Sequence, residues 1–125
     1  MSDPIESFGK RLRSLRLKSG VGLRELSRRV GTSPGYLSDV EHGNAPPPSE
    51  QVIIKIADAL GVDKHPLLKD AKKIDPELTR YVADQPLAAD FLRMAKNQHF
   101  DSDDWHRLTQ LAKISRLGKD EDLKK

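Results

Sequence analysis

The sequence contains no cysteine. Disulfides and thiolate zinc sites are therefore excluded, and a reducing compartment fits. Aromatic residues make up 5% of the chain, so aliphatic side chains must build most of any core. No apolar run approaches the ~20 residues of a membrane span, and no apolar h-region follows Met1. The expectation is a chain with no signal peptide and no membrane segment, located in the cytoplasm. Catalytic signatures are also missing. There is no G-x-S-x-G, no P-loop and no H-E-x-x-H, and no carboxylate pair is placed as an acid and a base. The chain is expected not to be an enzyme and to need no cofactor.

What is present is charge, unevenly spread. The 125 residues are 33% charged and 36% hydrophobic, with a formal net charge of +3. That length suits one compact domain, or a small domain with an extension. The total charge says little, but its distribution says more. Met1 to Gly31 holds eight bases (Lys10, Arg11, Arg13, Arg16, Lys18, Arg24, Arg28, Arg29) against three acids (Asp3, Glu6, Glu25). Acids gather later, at Asp101, Asp103, Asp104, Asp120, Glu121 and Asp122. A basic front and a balanced back suggest one surface for a polyanion and another for a different partner.

Helix breakers divide the chain into short periodic segments. Ile5, Phe8, Leu12, Leu15 and Leu17 make a near-helical pattern over Ile5 to Lys18, closed by Ser19-Gly20. Leu23 to Val30 presents Leu23, Leu26, Ser27 and Val30 on one face and stops at Gly31. A third helix opens at Ser33-Pro34, a good N-cap followed by the residue best tolerated at the first helical position. Leu37 and Val40 are its inner face, and His42-Gly43-Asn44 closes it. After an extended stretch at Ala45-Pro46-Pro47-Pro48, Ser49 caps a fourth helix with Val52, Ile53, Ile56, Ala57 and Leu60 inward. Gly61 ends that helix, and a short fifth spans His65 to Asp70. A boundary falls between Lys69 and Ile74. Beyond it, Pro76 to Val82, Pro86 to Lys96 and Asp101 to Leu117 read as three more helices. The expected organisation is a domain over 1–70, a helical region over 74–117 and a charged tail over 118–125. No strand is expected, and the fold class is all-α.

Two short helices joined by a glycine-containing turn form a helix-turn-helix unit. Its geometry has a purpose. The DNA major groove admits one helix, which a first helix must brace at a steep angle. Gly31 suits the turn, because a Cβ there is expected to obstruct the crossing. Ser27 supplies the small residue where the helices cross, and Leu26, Val30, Leu37 and Val40 lock them together.

These motifs resemble the Cro/cI-type (Xre) family of DNA-binding regulators. The matching pieces are Leu23-Arg24-Glu25-Leu26-Ser27, Val30-Gly31-Thr32-Ser33, Tyr36-Leu37-Ser38-Asp39-Val40-Glu41-His42-Gly43 and Ile56-Ala57-Asp58-Ala59-Leu60-Gly61-Val62. They lie in order between Phe8 and Val62. The resemblance implies a five-helix, lambda-repressor-like DNA-binding domain, here followed by a short helical C-terminal region. It also implies a homodimer that binds palindromic double-stranded DNA as a repressor. Departures from the family pattern are Gly22 in place of Ser, Thr or Asn at the start of the second helix, Ser27 in place of Ala, and His42 and Asn44 where Arg or Lys is common. An ion pair between Arg16 and Glu41 is a further implication, assigned a structural role only.

Carried over residue by residue, the expected DNA contacts are Arg24, Arg28, Ser33, Pro34, Gly35, Tyr36, Ser38, Asp39, His42 and Asn44. In an isolated helix Arg11, Arg13 and Arg24 read first as solvated faces. Beside a helix-turn-helix, clustered cations favour phosphate contact. Tyr36 is expected on a DNA-facing edge or its rim, because Leu37 and Val40 fill the inner face. His99, Asp101, Asp103, Asp104 and His106 match no zinc spacing, and Asp at a helix start is expected for capping. No metal is therefore expected. Trp105, Leu108, Leu111, Ala112 and Ile114 form a stripe that is either internal packing or a dimer seam. Three readings of 74–117 remain open: a dimerisation region, a segment that neutralises a toxin partner, or a segment cut by a partner metallopeptidase.

Overall fold

Side-chain caps fix most helix starts in the computed structural model, which describes residues 3–118. α1 (Pro4–Ser19) begins where Asp3 accepts from the Ile5 amide. α2 (Leu23–Val30) begins at Gly22 without a side-chain cap. Ser33 accepts from the Tyr36 amide and starts α3 (Pro34–Glu41). Ser49 and Asp63 do the same for α4 (Glu50–Leu60) and α5 (Lys64–Asp70). Each capped amide is one of the donors a helix start leaves without a partner. α6 (Pro76–Ala83), α7 (Pro86–Asn97) and α8 (Ser102–Ile114) follow. The described residues contain eight helices and no strand, and none of the helices is long and apolar enough to cross a membrane.

One compact unit runs to Arg80. In it α1 packs on α3 and α5, α2 on α3 and α4, and α4 on α5. Phe8, Leu12, Leu26, Leu37, Val40, Ile53, Ile56 and Leu67 are fully buried where these helices meet. Its helices are those expected from the periodicity, and their packing is the five-helix, all-α bundle that the resemblance implies. Leu17 is a correction, because it is exposed. At ~100° per residue it lies far round the helix from Leu12.

Two glycines depart from what the sequence suggests. Gly31 closes α2 with φ at 78°, yet a Cβ there would meet nothing within 4 Å. The expected steric reason is therefore wrong. The position requires left-handed backbone, and with it Thr32 donates to the Ser27 carbonyl at 2.9 Å. The crowded glycine is Gly9 in the middle of α1. A Cβ there would lie 2.4 Å from the Val40 carbonyl oxygen and 2.8 Å from that of Glu41. α1 thus meets the last turn of α3 backbone to backbone.

The second unit begins at Tyr81. Residues 74–80 of the expected C-terminal region lie in the first unit. In the second, Phe91, Phe100 and Trp105 meet edge to face with centroids 5.5 to 6.2 Å apart. Asp101 and Asp104 form a reciprocal capping box that starts α8. The expected end of this last helix at Leu117 is corrected to Ile114. Arg116 turns left-handed at φ 56°, and Leu117 donates back to the Ala112 carbonyl. Ala95 is the one fully buried hydrophobic residue described in this unit. The α8 stripe is internal packing only in part, since Trp105 joins the aromatic cluster. Leu111 and Ile114 are exposed, and Leu108 and Ala112 are half-buried. Apart from Gly118, the charged tail lies outside the described residues.

Gly9→Ala should destabilise the protein by about 3 kcal/mol, because neither carbonyl can retreat without moving a helix. Gly31→Ala should cost only about 1 kcal/mol, the strain of its positive φ. Chemical denaturation of both variants measures the difference. A Gly9→Ala protein as stable as the wild type contradicts the packing described.

Candidate nucleic-acid interface

α3 is held from behind by a buried ion pair. Arg16 on α1 donates from Nε to Glu41 Oε2 at 2.6 Å and from Nη2 to Oε1 at 2.9 Å. Its third nitrogen donates to the Val21 carbonyl at 3.2 Å. The Arg16 side chain is 13% exposed and that of Glu41 2%. The hydrogen bonds that Arg16 donates to Glu41 raise the guanidinium pKa above its usual value, against the opposing effect of burial. This is the pair expected from the sequence, and its two-pronged geometry fixes direction as well as distance.

α2 is braced separately. Arg29 donates to Glu25 at 2.8 Å and to the Ala59 carbonyl of α4 at 3.1 Å. Sequence reasoning gave Arg29 no role, since a carbonyl thirty residues away leaves no local signal. Arg28 is exposed and only 3.7 Å from Glu25, a loose contact. Arg24 is exposed and, among the described residues, has no ionic partner. Arg24 and Arg28 are one helical turn apart on α2. Arg11 is not part of this set, because it is paired with Asp70 and ties α1 to α5.

The outer edge of α3 is short of donors. Ser33, Pro34, Gly35, Asp39, His42 and Asn44 are exposed, and Ser38 and Tyr36 are half-buried. Tyr36 packs partly against the core, so it belongs to the rim of this edge. Gly35, Asp39 and His42 recur at four and three residues and share a helix face. Ser33 spends its acceptor on the Tyr36 amide at 3.1 Å but keeps its hydroxyl proton. Space around Gly35 is open, and a Cβ there would meet nothing within 4 Å. His42 has its Nδ1 2.7 Å from the Ser38 carbonyl, which can only accept, so that nitrogen carries the proton. The Asn44 amide donates to the Asp39 carbonyl at 2.8 Å and folds the loop back on the helix. In the turn before α3, the Thr32 hydroxyl oxygen is buried without a partner, for which nothing in the structure accounts.

Comparison with known proteins decides the family. The helix-turn-helix domain family matches residues 7–68. The clp gene regulator ClgR of Corynebacterium glutamicum is 38% identical in one crystal structure, with a TM-score of 0.51 over 58% of this chain and 92% of that one. The chain belongs to the helix-turn-helix transcriptional regulators of the Cro/cI (Xre) type. A second ClgR structure is 31% identical over 80% of this chain and 98% of that one, again with a TM-score of 0.51. The regulator SinR of Bacillus licheniformis is 35% identical over 73 residues, 57% of this chain and 66% of its own length. This chain therefore spans just under two thirds of that curated relative. The Xre regulators are DNA-binding proteins and not a class of enzymes. In this family frame α3 is the second helix of the motif and α2 the helix that braces it.

Among the described residues, no three His, Asp or Glu side chains are grouped to hold a metal ion. Asp101 and Asp104 of the acidic cluster are occupied with each other's amides at 2.9 and 3.0 Å.

Arg16→Leu should destabilise the protein by about 3–5 kcal/mol, because Glu41 is left buried and unpaired. Arg16→Leu with Glu41→Leu should recover most of that loss. Additive losses in the double-mutant cycle would show that the pair is not coupled.

Proposed function

We propose that the chain is an operator-binding repressor that acts as a homodimer in the cytoplasm. α3 enters the major groove of double-stranded DNA. The carrying observation is the braced helix itself: α3 is pinned at its C-terminal end by Arg16 and Glu41, while its other edge faces solvent. A helix held this firmly loses little further entropy on docking. Arg24 and Arg28 of α2 contact phosphates, as do His42 and Asn44 at the far end of α3. Ser33, Tyr36, Ser38 and Asp39 reach base edges. Pro34 and Gly35 offer no side-chain donor, so they let the backbone close on the groove. With few base contacts available, sequence preference comes largely from DNA shape and bending between half-sites. Asp39 accepts from a cytosine N4 and repels phosphate elsewhere.

Of residues 74–117, the part in the second unit, from Tyr81 on, serves dimerisation in this reading. Support comes from the apolar surface of the second unit, where Leu87 is 82% exposed and Ile114 76%. Such side chains gain about 25 cal/mol per Å² when covered. Two linked recognition helices then reach half-sites one DNA turn apart, roughly 34 Å. Control by a toxin-type partner or by a metallopeptidase acting on the same region is the alternative. It gains if the region proves monomeric.

Duplex affinity should fall steeply with salt, and Arg24→Ala or Arg28→Ala should each reduce the log–log slope by about 0.9. Neither should alter base preference, because phosphate contacts carry no sequence information. Asp39→Ala should relax preference at one symmetric base pair by about 1–3 kcal/mol in a selection from random duplexes. Salt-independent binding, or a preference unchanged in Asp39→Ala, rejects the assignment.

Leu111→Asp with Ile114→Asp should shift the full chain to monomer in sedimentation. The same protein should bind a two-site duplex less tightly by a factor of about 10² or more, as the second half-site is no longer tethered. Unchanged sedimentation removes α8 from the dimer interface.

A further inference from the structure

α5 and the beginning of α6 border an open hollow of about 650 Å³ that no interaction described above uses. Every residue lining it lies within the first compact unit. Its apolar wall is Leu68, Ile74 and Leu78. Leu68 belongs to the core, whereas Ile74 is 60% exposed and Leu78 54%. Lys69 and Lys73 stand at the rim, and among the described residues neither has a carboxylate partner. Two carboxylates are nearby. Asp75 is already committed: it holds Lys64 at 2.8 Å and caps the Glu77 amide at 3.0 Å. Only Glu77 is left to offset the two lysines.

An exposed aliphatic wall beside unpaired cations fits a particular kind of ligand. We propose that the hollow is a docking site for an acidic amphipathic helix of a partner protein. Two aliphatic side chains one helical turn apart cover Ile74 and Leu78, and flanking carboxylates reach Lys69 and Lys73. The charge pattern selects this occupant over two others. A DNA backbone satisfies the lysines but gains nothing from the apolar wall, which a polyanion leaves wet. A second copy of this chain matches less well. On α7 the exposed Leu92 and Met94 are followed by Lys96, which would face Lys69 and Lys73, while the acid beside them, Asp90, is already held by Arg93 at 3.1 Å. Like charges brought together in this way disfavour the contact. The inference does not depend on where α3 meets DNA, and the two fail separately.

The full chain is titrated against a fluorescein-labelled synthetic helix carrying Leu at i, i+3 and i+7 with Glu on both flanks. Two control peptides replace every Glu with Lys or scramble the order. Fluorescence anisotropy should show saturable binding of the acidic helix, with both controls weaker by about tenfold or more. Lys69→Glu with Lys73→Glu should lose about tenfold in affinity, and so should Ile74→Ser with Leu78→Ser. Lys69→Arg with Lys73→Arg should keep it. These side chains are at the surface, and circular dichroism should show unchanged helix content in all three variants. Duplex DNA affinity, measured on the same proteins, should stay within about twofold. The proposal is overturned if the acidic helix does not bind or if the three peptides bind alike. A tenfold loss of duplex affinity in Lys69→Glu with Lys73→Glu also overturns it, since the lysines then belong to the DNA interface. So does a change of oligomeric state in Ile74→Ser with Leu78→Ser, which assigns the hollow to a second copy.

Discussion

The position of α3 depends on one crossing. α1 approaches so closely at Gly9 that the Val40 and Glu41 carbonyls occupy the space of a side chain. About two turns further along α1, Arg16 grips Glu41 with two nitrogens and the Val21 carbonyl with the third. The contact is therefore steric at one point and ionic at the next. It also suits the end of α3 that it touches. The final carbonyls of a helix carry partial negative charge, and a guanidinium beside them is favourable. Arg16 further connects α3 to the segment leading into α2, so both helices of the motif are referred to the same side chain. The buried pair gives direction more than stability, since paired charges regain little beyond their desolvation cost.

That arrangement divides the labour within α3. Its inner face, Leu37 and Val40, is fully buried, and its last turn is clamped. Its outer edge carries little fixed chemistry. Ser33 is half-used as a cap, His42 has one ring nitrogen tied to Ser38, and Gly35 has nothing to extend. A regulator built this way presents a rigid shape and few base-reading donors. On the proposed reading, its discrimination rests on whether a duplex can follow the surface at all. The second unit is the opposite case. Three aromatic rings and a capping box order it locally, but most of its aliphatic side chains are in water. That exposed apolar surface is what the proposed dimer would cover.

Much of the fold was legible because its signals are local. Ser33-Pro34 and Ser49 cap where they were expected to, and Gly31 and Gly61 end their helices. The pairing of Arg16 with Glu41 came from family resemblance and holds in the structure. Other features left no local trace. Gly9 reads as a poor helix residue until α3 is placed across it. Lys72, His99 and Arg116 end α5, α7 and α8 with positive φ but without glycine, so the last helix was read three residues too long. Leu17 fits a loose helical count yet falls on the wet side. Of the candidate site, the sequence indicated which side chains of α3 face outward. It did not indicate that Arg29 is consumed as a brace or that Arg11 is consumed by Asp70, because both partners are distant in the chain.

The central claim is that the outer edge of α3, braced by α2, is the surface that meets DNA. Backbone amide NMR of the labelled full chain, titrated with a duplex selected from random sequence, tests it most directly. The account predicts that the largest shifts fall between Ser33 and Asn44, with a second set at Arg24 to Arg28. Gly35 should be among the most affected, since its amide starts the exposed edge. Shifts concentrated in α5 to α8, with Ser33 to Asn44 unmoved, would contradict it.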